Sequence, residues 1–147
     1  MHERVFEVEA PRSVCFGVVA DVEAYPEFLG ATKYAKRHGS GNDFEADFQI
    51  EVMKSLSYRL RFSVNEPEEI RWSFVSGEII KDNRGYWRFH EISENKTRIE
   101  YGVEVKLGAF VPSAISKKLT ESQLPALIRS FTKRMEEMAK KRGVANG

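Results

Sequence analysis

The chain has 147 residues and a mass of 16.9 kDa, one domain's worth and enough to bury a core without disulfide or metal staples. An apolar fraction of 41% with 12% aromatic residues excludes a disordered chain, and a net charge of +1 speaks against a dedicated DNA or RNA binder. The single cysteine, Cys15, excludes an intrachain disulfide and any CxxC metal or redox motif.

The first ten residues carry Glu3, Arg4, Glu7 and Glu9 and do not read as a signal peptide. No stretch approaches the ~20 apolar residues of a membrane span. The expectation is a cytoplasmic protein whose membrane role, if any, is peripheral contact at the inner membrane.

Residues 4–9 read as a first strand, ended near Pro11, which suits the first turn of a helix. Val14, Val18 and Val22, with Cys15 and Val19 beside them, form one helical stripe. Tyr25 precedes Pro26 and is biased away from the helical region, so a short helix or turn is expected over 23–29, closed by Gly30.

From Thr32 to Leu107 the period changes to two. Residues 32–38 begin this region. Phe44, Ala46, Phe48, Ile50 and Val52 alternate with polar residues, as do Tyr58, Leu60, Phe62 and Val64. Ile70, Trp72 and Phe74 follow, then Trp87 and Phe89 within 86–92, then Ile99, Tyr101, Val103, Val105 and Leu107. Each segment has one dry and one wet face, as in an antiparallel sheet. Turn signals fall at 39–43, 65–68, 76–77, 81–85 and 93–96. On the wet faces Glu45, Asp47 and Glu51 oppose Arg59 and Arg61, an ordinary pattern of cross-strand charge pairing.

After Pro112 a helix is expected to about Lys141, with Leu124, Leu127, Ile128, Phe131, Met135 and Met138 on one stripe. Pro125 removes a backbone hydrogen bond inside it and should kink or split it.

These elements describe an α+β chain: a seven-stranded antiparallel sheet, two short helices after strand one and a long C-terminal helix. Seven strands at ~4.8 Å each span about 30 Å, whereas one helix covers ~10–12 Å. The sheet must therefore curl around the helix. The space between them would be lined by Phe44, Phe48, Tyr58, Phe62, Trp72, Phe74, Trp87, Phe89 and Tyr101 from the sheet, with Leu127, Phe131 and Met135 from the helix. Such a lining suits a small-molecule pocket. The pattern alone leaves open whether these side chains enclose a hollow or fill it.

The layout resembles the helix-grip fold of the START-like superfamily, the polyketide cyclase/dehydrase and lipid-transport proteins. Four segments are similar to its coenzyme Q-binding and ribosome-association-toxin branch: VADVEAYPEFL (19–29), ADFQIEVMKSLSYRLRFSV (46–64), GYWRFHEI (85–92) and TRIEYGVEVKL (97–107). The chain departs from that branch at 30–32 and 77–80, in loops expected to shape the mouth of a cavity. The resemblance implies a hollow and a hydrophobic ligand: a quinone such as ubiquinone, a lipid or a polyketide-like ring system.

No catalytic constellation stands out. Cys15 lies on an apolar stripe and reads as a small buried hydrophobe. His2, His38 and His90 lack metal-ligand spacing, and no phosphate-binding glycine motif implies a cofactor. The inward polar candidates are Tyr58, Tyr101, Gln123 and Ser130. Residues 117–147 hold eight basic and three acidic side chains, a net +5 that leaves −4 on the rest. A basic helix with an apolar stripe suits peripheral contact with an anionic membrane as well as a solvated face. The C-terminal helix is thus expected to act as cavity lid and membrane-facing element. Three functions follow: a non-enzymatic carrier of a hydrophobic molecule, a cyclase or aromatase that folds a reactive chain, and a ribosome-contacting protein, the last weakened by the near-neutral charge.

Overall fold

Alternating side chains build the sheet, and breaks in the alternation curl it. A computed structural model describes residues 1–146, with side chains through Gly143. The strands are β1 (His2–Val8), β2 (Thr32–His38), β3 (Asp43–Val52), β4 (Lys54–Asn65), β5 (Glu69–Gly77), β6 (Ile80–Ser93) and β7 (Lys96–Leu107). They form one antiparallel seven-stranded sheet in the order β1-β7-β6-β5-β4-β3-β2. The helix α1 (Arg12–Ala20) and a 3₁₀ turn (Val22–Glu27) connect β1 to β2. After β7 come α2 (Ser113–Lys118), a π turn (Leu119–Gln123) and α3 (Leu124–Asn146). This is the expected helix-grip architecture.

Irregularities in register supply the curvature. The ladder slips between Thr32 and Tyr34 on β2, between Arg59 and Leu60 on β4 where it meets β5, and twice along β6. An extra residue on one strand bends it and increases its twist. Val75 and Ile92 lie in such slips and are exposed, although their neighbours Phe74 and Phe89 point inward.

The expected turn at 81–85 is not a turn. These residues form the first half of β6, and the chain reverses at 78–79 instead. The polar residues and Gly85 that imitate a turn have other tasks. β5 pairs with β6 only from Glu69↔Arg88 to Trp72↔Gly85, and beyond that the two strands part. Asn83 is buried in this seam, where its Oδ1 accepts a hydrogen bond of 2.9 Å from Trp72 Nε1. A Cβ on Gly85 would lie 2.1 Å from the Gly102 carbonyl oxygen and 2.5 Å from the Trp72 ring. Gly85 is there so that the indole can lie against the backbone of the next strand. A second hairpin carried no sequence signal: β3 and β4 are joined at Met53, whose φ of 67° is left-handed.

Pro125 splits the C-terminal helix, as its missing N–H requires. It is the second residue of α3, directly after the π turn. Within α3, Leu124, Phe131 and Met135 are buried, with Leu127, Ile128 and Met138 packed beside them.

The outer face carries the expected charge ladder at Glu45 and Asp47, whereas Glu51 stands opposite Ser55 instead of an arginine. Arg59 holds Asp47 through two bonds of 2.7 and 2.9 Å, and Arg61 holds Asp43 through two of 3.0 Å. The Arg59 guanidinium pulls the Asp47 carboxyl down to about 2, with help from His38.

Two glycine substitutions should have opposite signs. Gly85→Ala forces a methyl against a backbone oxygen and should cost roughly 2–4 kcal/mol, at or above the usual range for overpacking. Gly17 lies inside α1 with nothing within 4 Å of an added Cβ, so Gly17→Ala should stabilise by about 0.5–1 kcal/mol. Chemical denaturation of both variants checks the pair.

Candidate functional site: a cavity under the C-terminal helix

One half of the space between sheet and helix is solid and the other is hollow. At the solid end α1 packs against β6 and α3. There Phe16 meets Phe89 edge-on at 5.5 Å, and Cys15 and Met135 are wholly buried. Burial pushes the Cys15 thiol up to about 11, so it behaves as the expected small hydrophobe. Phe44 stacks on Phe62 at 5.2 Å near the start of β3, under the guanidinium of Arg37.

Toward the other end, where β3 and β7 finish, a cavity of about 530 Å³ remains. Of the expected lining residues, Phe48, Tyr58, Phe62, Trp72, Trp87, Tyr101, Leu127 and Phe131 border it. Phe44, Phe74, Phe89 and Met135 do not. Phe44, Phe89 and Met135 belong to the packed end, and Phe74 turns beside Gly77 at the seam. All four inward polar candidates, Tyr58, Tyr101, Gln123 and Ser130, also border the cavity.

The rings form a connected wall. Tyr25 stacks near Phe48, which stacks on Tyr58 at 5.6 Å. Opposite, Trp72 stacks with Tyr101 at 6.0 Å, Tyr101 touches Trp87 at 4.5 Å, and Trp87 touches Phe131 at 4.8 Å. Phe131 also meets Tyr25 edge-on at 5.3 Å, which ties α3 to the 3₁₀ turn. Tyr25 is anchored by a hydrogen bond of 2.5 Å from its hydroxyl to the Val19 carbonyl. Burial raises the phenol pKa of Tyr25, Tyr58 and Tyr101, so all three keep their protons.

Sequence reasoning missed Tyr25, Leu29 and Asn83 as lining residues. The first two sit in a short segment with no usable period, and Asn83 imitated a turn. Ile50, Leu60 and Val103 border the cavity as well, and their alternation with polar neighbours was signal enough to find them.

The mouth is bordered by Gly30, Ala31 and Glu51 on one side and by Leu119, Thr120 and Gln123 of the π turn on the other. The break in the helix thus falls over the opening. Apart from the phenols, His2 and Glu51 are the acidic or basic side chains among the lining residues, and both are exposed. The other histidines are on the outer face, with His38 at 2.7 Å from Asp47 and His90 at 3.2 Å from Glu100. Among the described residues no cluster of three His, Cys, Asp or Glu side chains could hold a metal ion. A second depression, about 360 Å³, lies on the outer face at the β5–β6 seam. Each of its arginines is paired, Arg61 with Asp43, Arg71 with Glu69 and Arg84 with Glu104.

The family model for polyketide cyclase/dehydrase and lipid transport matches residues 8–132, from the end of β1 into the first part of α3, and takes in every cavity-lining residue except His2. The chain belongs to this family. Among solved structures sharing the family's fold is the Zhui aromatase/cyclase from Streptomyces sp. R1128. It has a TM-score of 0.82 at 17% identity, with 99% of this chain and 96% of that one covered. A START superfamily protein from Mycobacterium smegmatis has a TM-score of 0.80 at 20% identity, covering 93% and 97%. A STAR-related lipid transfer protein from Xanthomonas axonopodis has a TM-score of 0.73 at 11% identity, covering 90% and 84%. A comparison with curated proteins finds no significant match.

Membership of this family makes hydrophobic ligand binding or a cyclase/dehydrase-like function the coarse functional class. Among the described residues no helix is long and apolar enough to cross a membrane.

Proposed function

We propose that the protein binds and carries a hydrophobic small molecule in the cavity between the sheet and α3, releasing it unchanged. The observation that supports this is the wall: contiguous aromatic rings around about 530 Å³, with the only charged side chains at the rim. Burial of apolar ligand surface there contributes roughly 25 cal/mol per Å². The similarity of 19–29 and 85–92 to the coenzyme Q-binding branch favours an isoprenoid quinone, with lipids and polyketide-like rings in the same class. A ring system fits the cavity, and a long chain would leave through the mouth beside the π turn.

The alternative is a cyclase, which holds a reactive chain folded and adds little acid–base chemistry. The shared fold with an aromatase/cyclase supports it. A ribosome contact, as in the toxin branch, draws little support from a total charge of +1.

Ligand exchange at an anionic membrane surface is part of the proposal. Of the six basic side chains on α3, three have partners: Arg134 bonds Glu27 at 2.8 Å, Arg142 bonds Ser13, and Lys133 lies 4.0 Å from Glu137. The mouth end offers a better surface. Phe110 is fully exposed in the loop before α2 and Met53 is exposed at the β3–β4 reversal; in sequence Lys54 follows Met53, and Lys106, Lys117 and Lys118 flank Phe110. The π turn over the opening serves as the lid.

An apolar fluorescent dye should bind the folded protein and be displaced by a long-chain quinone, and Leu127→Trp, which fills the cavity, should weaken dye binding at least about tenfold. A folded wild type that binds neither dye nor quinone would sink the carrier proposal, and recovery of a cyclised product would turn it into the enzyme.

In vesicle co-sedimentation, wild type should prefer anionic over neutral lipid. Replacing Lys117 and Lys118 by Glu should remove that preference, at about 1 kcal/mol per basic residue, whereas Lys133→Glu with Lys140→Glu should change it little. The reverse ranking would move the contact to the far half of the helix.

A further inference from the structure

The depression on the outer face of the sheet is built by three neighbouring strands. Serine and arginine face each other across β4 and β5, with Arg61 opposite Ser73 and Ser63 opposite Arg71. Arg71 in turn faces Tyr86 on β6, and the β5–β6 ladder ends one pair later at Trp72 and Gly85. Ser73 and Arg84 are the first residues past that last pair. Short side chains and a parting of strands thus lie among long side chains. The result is a space of about 360 Å³ lined by Arg61, Arg71, Arg84, Ser63 and Ser73 among others.

Gathering three guanidinium groups around one space costs electrostatic energy, since diagonal neighbours such as Arg61 and Arg71 are only ~7–8 Å apart at the backbone. The carboxylates that offset this cost hold each arginine by part of its donor set. Arg61 gives Nε and one terminal nitrogen to Asp43, both at 3.0 Å. Arg84 gives the same two groups to Glu104, with Asp82 at 3.5 Å. Arg71 gives only Nε, to Glu69 at 2.8 Å. One terminal nitrogen on Arg61, one on Arg84 and both on Arg71 make no hydrogen bond among the described residues, and all three side chains are about half exposed. Glu69 also accepts from Arg88 Nε, so one negative charge is shared between two guanidinium groups. Of the lining side chains three are basic and only Asp43 is acidic.

The unspent donors belong to three different arginines. A carboxylate offers two oxygens in one plane and suits a single guanidinium fork. A phosphate monoester offers three oxygens in different directions and a charge of about −1.5 to −2. We propose that this depression is a second binding site, separate from the cavity, for a phosphate monoester whose oxygens bridge Arg61, Arg71 and Arg84 beside the Ser63 and Ser73 hydroxyls. The space beyond the phosphate holds the group that carries it. Because carboxylates already fix the arginines, little side-chain entropy is lost on binding. The site stands independently of the carrier function.

The test titrates phenyl phosphate and benzoate into the folded protein at low ionic strength and follows backbone amide and arginine Nε–H signals by NMR. Phenyl phosphate should shift Ser63, Ser73 and the Nε–H groups of Arg61, Arg71 and Arg84 in a saturable way. It should bind at least about tenfold more tightly than benzoate. Arg71→Gln should lower its affinity at least about tenfold, the range of a hydrogen bond to a charged group. Arg59→Gln removes the same charge from a pair outside the depression and should leave the affinity within about twofold. Vesicles of neutral lipid containing phosphatidic acid separate two sources of the phosphate. Weaker retention of Arg71→Gln on them assigns it to a lipid headgroup, and unchanged retention assigns it to a soluble ester. Benzoate bound as tightly as phenyl phosphate would overturn the phosphate assignment. Equal losses in Arg59→Gln and Arg71→Gln, no saturable shift, or shifts confined to cavity residues such as Tyr101 and Leu127 would overturn the site itself and leave the carrier function untouched.

Discussion

A single helix cannot cover a seven-stranded sheet, and the rest of the molecule follows from that mismatch. The sheet is about 30 Å wide at ~4.8 Å per strand, and a helix with its side chains is ~10–12 Å across. Register slips on β2, β4 and β6 bend the sheet around α3, and the parting of β5 from β6 relaxes it further. Even so, curvature closes the gap only where a second helix helps. At that end α1 inserts Phe16, Val18 and Val19 between sheet and α3, and the packing is continuous. At the other end α1 does not reach, and the sheet faces the π turn, the start of α3 and the segment of Tyr25 and Leu29 across the hollow.

The hollow is thus a consequence of topology, and its chemistry is set by which residues face it. Strand alternation sends charge outward, where it is neutralised locally by pairs such as Arg59 with Asp47 and Arg88 with Glu69. Inward it sends rings. Packing these rings against one another rather than into the void keeps the wall rigid, since each aromatic contact adds about 0.5–1.5 kcal/mol beyond its buried area. A preformed apolar wall loses little entropy when a ligand enters, which favours binding. The seam at Trp72 and Asn83 places a polar group inside that wall without leaving the indole N–H unpaired.

Alternation in the sequence reports which way a side chain points, not how far along the sheet it sits. For that reason the fold could be read nearly whole, including the inward direction of Trp87 and Phe89 against the outward direction of Tyr86 and His90. The site could be read only in part. Phe44 and Phe48 lie on the same face of β3 and carry the same signal, but only Phe48 reaches the hollow. Position relative to α1 separates them, and that is a tertiary fact. The 81–85 segment failed for a different reason. Asp, Asn and Gly are turn formers because of their backbone freedom and short polar chains, and β6 uses the same properties for a ring-on-backbone contact at Gly85 and a buried amide at Asn83. The reversal at Met53 carried no glycine, proline or asparagine to announce it.

The carrier function proposed for the molecule requires that the space beneath the π turn be empty and reach both tryptophans. Two indole N–H signals are expected in an amide NMR spectrum, one from Trp72 and one from Trp87. Titration with benzene, a probe small enough to enter any true hollow, should shift both in a saturable way, together with the Phe131 ring, while Phe44 and Phe89 stay in place. Indole signals that remain unmoved, or shifts confined to the packed end around Phe89, would contradict the account and make this core solid throughout.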